Sequence, residues 1–320
     1  MKRILLAVLL ALTAGGASAN DQVSLRLNWL IYGFHMPFHL GVDRGLYRQN
    51  GIDLVIGEGQ GSGRAVQVVA AGSDTFGLSD GASIIAGAAR GAPVQAVMGI
   101  MNRSPYAVIV RRDSGIVDFK GLAGKTIAAS TGEAGLAVFP ALLRANGMAP
   151  DAVRFLRVDG AAKLVATLEN HVAGMLGGLE NQALILPQKG LPVISLAYSD
   201  FGVNTIGLAI HATRDTLQKN PDMVRRFIKA TRASFDLAMA DPGAAIDAGL
   251  KAKPDLDRTL SLDQLKAGLA LVKGPKGPTQ PVGWMAEQDW NDTLALMKEF
   301  QELKTDMPVG AFWTNEYLPK

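Results

Sequence analysis

Tyr106-Ala107-Val108-Ile109-Val110-Arg111-Arg112-Asp113 and Thr205-Ile206-Gly207-Leu208-Ala209-Ile210-His211-Ala212-Thr213-Arg214-Asp215 are the two stretches that decide the fold. Each is an apolar strand that runs into a polar segment ending on an Arg-Asp pair. Strands buried on both faces read as near-continuous hydrophobic runs of this kind. Between them lies a self-contained alternation of strand 125–129, helix 134–145, strand 153–158, helix 161–169 and strand 172–176. A block bracketed by two similar strands predicts that the chain leaves one lobe near residue 111, builds a second lobe, and returns near residue 204. The predicted lobes are 20–110 together with 205–320, and 111–204.

Working outward, the segment before the bracket alternates in the same way. Strands are predicted at 23–28, 52–56, 75–78 and 94–99, and helices at 37–47, 64–71 and 82–89, which makes the class α/β with parallel strand pairs. Gly57, Gly59, Gly61 and Gly63 punctuate a loop that reads as mobile. The segment after the bracket is helical. Asn220-Pro221 opens one helix, Ser261 and Gln264 have the spacing of a capping box before Leu265 and Leu269, and 287–303 carries Trp290, Leu294 and Met297 at helical spacing.

The N-terminal residues 1–19 have the three-part layout of a cleaved export signal: Lys2-Arg3, an almost wholly apolar run from Ile4 to Ala14, then Ala17-Ser18-Ala19. The run is shorter than the roughly 20 residues that a membrane span needs. There is no cysteine, which rules out both a lipid-bearing cysteine and disulfide staples. The chain has 32 basic and 29 acidic side chains; without Lys2 and Arg3 the basic count is 30. No basic stripe is present, so nucleic-acid binding is not expected, and no basic amphipathic helix points to a membrane surface.

Several motifs could carry chemistry. Gly77-Leu78-Ser79-Asp80-Gly81 matches the G-x-S-x-G nucleophile elbow between a strand and a helix, with His171 or His211 available as base. A tight strand-to-helix turn whose backbone approaches a ligand satisfies the same five residues. His35 and His39 have i, i+4 spacing, but no acidic residue completes a zinc motif, and neither metal nor cofactor is expected. Asn28, Trp29, Tyr32, Phe34 and His35 concentrate an amide, three aromatics and an imidazole just past a strand end, where open α/β sheets place ligands. Only 6% of the residues are aromatic, which makes the concentration notable, while ordinary core packing is an equal alternative for any single one of these aromatics. Glu133, in Thr131-Gly132-Glu133-Ala134-Gly135, opens a helix and reads either as a cap or as a ligand contact.

The ordered set Leu27-Asn28-Trp29, His35, Gly45-Leu46-Tyr47, Gly51-Ile52-Asp53, Ala71-Gly72-Ser73-Asp74, Phe76-Gly77, Arg90-Gly91 with Pro93-Val94, Gly121-Leu122 with Gly124-Lys125-Thr126-Ile127, and Gly132-Glu133 resembles substrate-binding proteins of bacterial ABC importers. The group in question contains thiamine-pyrimidine, taurine and alkanesulfonate receptors (SsuA/THI5-like), and the likeness runs from Val23 to about Met239. It implies a type II periplasmic-binding-protein fold, two α/β lobes joined by two crossover strands, with the ligand between them. By that likeness Asn28, Trp29, His35 and Glu133 line the cleft, Glu180 is a further candidate, and Ser79 and Asp80 sit in the third-strand loop that contacts the ligand; Tyr32 joins them from the aromatic cluster. A related branch contains fungal-type pyrimidine synthases, which need a lysine and a histidine after the third strand and a cysteine-rich motif. Ser79-Asp80-Gly81-Ala82-Ser83 has neither, so the resemblance implies a protein that is not an enzyme.

The resulting expectation is a monomeric periplasmic receptor. It captures a small polar aromatic or heterocyclic solute of the thiamine-precursor kind and hands it to an inner-membrane ABC permease. The alternatives are a receptor for an alkanesulfonate or taurine-type anion, which would call on Arg64, Arg103 and the helix start at Gly132, and a serine hydrolase built on Ser79.

Overall fold

The computed structural model describes residues 19–274 and 276–319; apart from Ala19, the expected export signal lies outside the described residues. The first lobe begins with β1 (Asp21–Arg26), α1 (Met36–Asp43), α2 (Leu46–Gln49), β2 (Ile52–Gly57), α3 (Ser62–Ala70), β3 (Phe76–Asp80), α4 (Gly81–Ala89) and β4 (Val94–Gly99). The second holds β5 (Tyr106–Arg111), β6 (Thr126–Ala129), α5 (Ala134–Ala145), β7 (Arg154–Arg157), α6 (Gly160–Leu168), β8 (Gly174–Gly178), α7 (Gln182–Gln188) and β9 (Val193–Ala197). The chain then returns through β10 (Leu208–Thr213) and ends in α8 (Arg214–Lys219), α9 (Pro221–Ala240), α10 (Pro242–Ala252), α11 (Arg258–Leu269) and α12 (Glu287–Phe300).

The strands form two five-stranded sheets with the orders β2-β1-β3-β10-β4 and β7-β6-β8-β5-β9. In each sheet the first three strands are parallel, and the fourth is antiparallel to both of its neighbours. Those antiparallel strands are β10 and β5, the two stretches that opened the reading of the sequence. Each is the strand on which the chain arrives from the other sheet.

One placement differs from the sequence expectation. Residues 106–110 were assigned to the first lobe, yet Tyr106 pairs with Gly178 of β8, and Ala107 with Ala197 of β9, both in the second sheet. The first crossing therefore lies ahead of Tyr106. An apolar strand buried on both faces looks the same whichever sheet it joins, so its composition carries no record of its partner. α7 and β9 went unread for a different reason. α7 is short and has Pro187 within it, and β9 is a half-exposed edge strand without clean alternation.

The main core lies between the first sheet and α9, α10 and α11. Phe76 of β3 stacks on Phe227 of α9 at 4.0 Å and 9°, and Phe235 meets Phe34 and Phe38 edge-on. α12 packs on α4 of the first lobe and α5 of the second, so a second apolar cluster that includes Ile85, Phe139 and Trp290 runs from lobe to lobe.

α11 starts four residues earlier than the capping-box spacing implies. Its N-cap is Asp257, which accepts from the Leu260 N–H at 2.7 Å, while Ser261 and Gln264 are inside the helix and buried. Asp257→Ala is expected to lower stability by about 1 kcal/mol through loss of that cap, read as a shift in the denaturant midpoint at constant m-value.

Candidate functional site

The parallel strands of both sheets end at one place. β1 runs into Leu27-Asn28-Trp29, β3 ends on Asp80, β6 leads to Ser130–Glu133, and β8 ends on Gly178. Loops at the carboxyl ends of parallel strands are free of ladder hydrogen bonds and can point side chains at a ligand. Here they enclose a cavity of about 50 Å³ lined from the first lobe by Asn28, Trp29, Tyr32 and Ser62, and from the second by Tyr106, Glu133 and Glu180. Trp29 and Glu133 also line a wider groove of about 1340 Å³ between the lobes, so these two side chains form the wall between cavity and groove.

The Gly57–Gly63 segment is fastened down. The Gly59 N–H donates to the Trp29 carbonyl at 3.0 Å, that of Gly61 to Asn28 at 2.8 Å, and that of Gly63 to Gly132 of the second lobe at 3.2 Å. A Cβ on Gly59 would overlap the Leu27 carbonyl, and Gly61 adopts φ +112°. These glycines serve close backbone approach and a left-handed turn, rather than mobility.

Each candidate residue has a definite place. Asn28 Oδ1 lies 3.0 Å from His35 Nε2. His35 is fully buried, and desolvation with a contribution from nearby His39 lowers its pKa to about 3, so the imidazole is neutral. Its Nδ1 has no partner. The tautomer with the proton on Nε2 satisfies the single donor and frees the Asn28 amino group. His35 and His39 join no cluster of three potential metal ligands among the described residues.

Tyr32 donates to Glu180 Oε1 at 2.9 Å across the cleft, while Glu180 Oε2 has no partner. Glu180 is 5% exposed, and burial raises its pKa to about 7 against the opposing pull of hydrogen bonds from its own backbone and Tyr32. Asp80 is fully buried and caps α4 through the Ser83 N–H at 3.2 Å. Burial raises its pKa to about 7, partly offset by the Ser83 N–H and by the Tyr106 hydroxyl. Tyr106 approaches without reaching full hydrogen-bond geometry, and Asp80 Oδ2 keeps no partner.

Two candidates are committed within the protein. Ser79 Oγ lies 3.1 Å from the Ser62 carbonyl and 2.9 Å from His211 Nε2, and both side chains are fully buried. The serine and one of its two proposed bases do meet. They do so within the sheet, one residue before the turn, and His211 Nδ1 has no orienting partner. A sealed pair of this kind cannot admit an ester, and the hydrolase expectation fails on geometry. Glu133 accepts from the Ser130 N–H at 2.9 Å and from Lys163 Nζ at 2.6 Å. It stands at the N-cap position of α5, yet its side chain makes no capping hydrogen bond and is no free acceptor.

Lys163, Tyr106 and Gln264 were not singled out in the sequence. Lys163 is fully buried beside Glu133, with its ammonium 4.9 Å from the centre of the Trp29 ring. Its signal was available, because Lys163, Ala166 and Thr167 share the buried face of α6. Gln264 accepts from the Gly33 N–H at 3.0 Å and donates to Asn181 Oδ1 at 2.8 Å, which ties the lobes together. Read as a capping residue, its contact with the second lobe stayed hidden.

Comparison with known proteins bears on this geometry. A family model described as NMT1/THI5 like matches residues 33–245. The 4-amino-5-hydroxymethyl-2-methylpyrimidine phosphate synthase THI11 of Saccharomyces cerevisiae is 26% identical over 315 residues, covering 94% of this chain and 88% of its own. The riboflavin-binding protein RibY of Chloroflexus aurantiacus is 25% identical over 308 residues, covering 93% and 86%. Among solved structures, the alkanesulfonate-binding protein SsuA of Xanthomonas axonopodis pv. citri bound to MOPS superposes with a TM-score of 0.73 at 16% identity, covering 93% of this chain and 99% of that one. The fold is therefore that of periplasmic binding proteins, with two α/β lobes. The expectation that the chain is not an enzyme is overturned by the synthase relative, which matches almost the whole chain. The missing Lys and His after β3 and the missing cysteines do not carry that exclusion.

Proposed function

This chain belongs to the NMT1/THI5-like family, and we propose that its cavity captures a small polar heterocycle between the lobes, as the exported receptor of an ABC importer. The observation that carries the reading is the set of groups facing one small space: the free amino group of Asn28, the unpartnered Glu180 Oε2 and the ring of Trp29. A donor beside an acceptor complements a ring nitrogen next to an exocyclic amino group, and the indole offers a stacking surface. By the measure on which one water takes roughly 10–15 Å³, the cavity suits a single ring better than a fused tricycle. The charge argues in the same direction. Arg64 lines only the wider groove, and Arg103 lines neither space, so an anion in the cavity would meet the buried carboxyl of Glu180 instead of a guanidinium.

Capture works by closure. The ligand enters from the groove while the wall of Trp29, Glu133 and Lys163 is apart. Closure then forms the contacts Tyr32–Glu180 and Gln264–Asn181 over the ligand. A permease reads the closed form. Titration calorimetry against aminopyrimidines, aromatic acids and aliphatic sulfonates tests this, with saturable one-to-one binding expected for aminopyrimidines. Asn28→Ala is expected to weaken that binding by about tenfold, the worth of one hydrogen bond to a buried partner. Saturable binding of aliphatic sulfonates alone would sink the proposal. The synthase relatives favour a second reading, in which the same cleft also transforms its pyrimidine. Mass spectrometry of the ligand after incubation separates the two: an unchanged ligand supports capture, an altered one supports transformation.

A further inference from the structure

We infer that the solute taken up by this cleft carries a positive charge, which two carboxyl groups from opposite lobes, Asp80 and Glu180, neutralise when the lobes close. The inference rests on the heterocycle reading and deepens it. Its basis is a reciprocal arrangement. Tyr32 of the first lobe donates to Glu180 of the second at 2.9 Å, and Tyr106 of the second approaches Asp80 of the first. Each lobe thus contributes one tyrosine and one carboxyl, and each tyrosine serves the carboxyl across the cleft. Both carboxyl groups retain an oxygen with no partner, Asp80 Oδ2 and Glu180 Oε2. Asp80 is fully buried and Glu180 is 5% exposed, and Glu180 lines the cavity.

Among the described residues no cation serves them. Lys163 is bonded to Glu133, and burial keeps His35 and His211 neutral. The remaining neighbours are the Tyr32 hydroxyl and the Ser83 N–H, which donate hydrogen bonds, and the Tyr106 hydroxyl close to Asp80, and none of them carries a charge. Two buried carboxyl groups without a counterion stay ionised only at a desolvation cost, which raises both pKa values to about 7, so near neutrality each still holds its proton for part of the time. A planar cation with N–H donors reduces that cost, because it fills the free oxygen of Glu180, which lines the cavity, and acts through space as a counterion to Asp80, which does not line it but lies near the cavity-lining Tyr106. Its binding should release protons from the pair. An anionic or purely accepting ligand would leave both oxygens unserved.

The test compares ligands matched in shape and different in charge at about pH 7.5, where 4-aminopyridine is a cation and its near-isostere 4-aminopyrimidine is neutral. Benzenesulfonate serves as the anion. Calorimetry in two buffers of different ionisation enthalpy reads both affinity and proton release. The cation is expected to bind about tenfold or more tighter than the neutral isostere, as charge-assisted hydrogen bonds require, and to release protons. Glu180→Gln, and separately Asp80→Asn, which keeps the α4 cap, should each shrink that preference and the proton release. Equal binding of the two aminated rings, or a preference unchanged in both variants, overturns the charge inference and leaves the heterocycle reading standing. Binding of benzenesulfonate above both overturns the charge inference. Binding of aliphatic sulfonates with no binding by any ring overturns both readings.

Discussion

Glu133→Gln should destabilise the ligand-free protein by about 3 kcal/mol or more, the range found when one partner of a buried ion pair is removed. The substitution preserves shape and keeps an oxygen for the Ser130 N–H, so what it removes is charge. Lys163 is left fully buried, with only the Trp29 ring 4.9 Å away as electrostatic compensation, and cation–π attraction is worth about 1–2 kcal/mol. Adding Lys163→Met should therefore restore most of the stability, because a buried pair replaced on both sides by neutral groups costs little. Denaturant unfolding of the two single variants and the double variant gives the coupling energy directly. A Glu133→Gln loss below about 1 kcal/mol, the range of exposed pairs, would show that the ion pair is screened and that the wall of the cleft does not depend on it.

Glu180→Gln should do the reverse at alkaline pH and stabilise the ligand-free protein. Burial raises the Glu180 pKa from 4.5 to about 7. Below 4.5 both the native and unfolded chains hold the proton. Between 4.5 and about 7 only the native chain holds it, so stability falls as pH rises through that window and stays lowered above it. The full penalty is of the order of 3 kcal/mol, taking about 1.4 kcal/mol per pKa unit. Glutamine has no proton to lose and still accepts from Tyr32. The variant should match the wild type at about pH 4 and exceed it at about pH 8 by that amount. The wild-type curve alone hides the effect. His35 and His211, lowered from 6.5 to about 3, make stability rise with pH between those values and offset the carboxyl groups. The difference between variant and wild type isolates Glu180. A difference independent of pH would mean that the carboxyl is ionised or solvated already, and would remove the basis for a cation in the cleft.

The two-lobed architecture was legible because it is written in local pattern. Alternating strands and helices, and a pair of apolar strands that bracket a complete block, are properties of contiguous residues. The same locality explains what went wrong at Tyr106, whose apolar strand states that it is buried but not in which sheet. Asn28, Trp29, Tyr32, His35 and Glu180 could be nominated from aromatic concentration, strand ends and family likeness. Their partners could not, since Glu180 lies 148 residues from Tyr32 and Gln264 lies 83 from Asn181, and no spacing rule spans such distances. Ser79 and Glu133 were nominated by residue type, and the structure commits both to the protein itself, through His211 and Lys163. The approach of Tyr106 to Asp80 is a relation between opposite lobes, which no local pattern encodes.

The central claim is that a ring ligand sits in this cavity and is read by Asn28, Trp29 and Glu180 together. Its most direct test is the electron density of crystals grown with 4-amino-5-hydroxymethyl-2-methylpyrimidine. The account predicts planar density stacked on Trp29, with its amino edge between the Asn28 amide and Glu180 Oε2 and the lobes closed over it. Density for the pyrimidine outside the cavity, or an unoccupied cavity at saturating ligand with these three side chains unmoved, would contradict it.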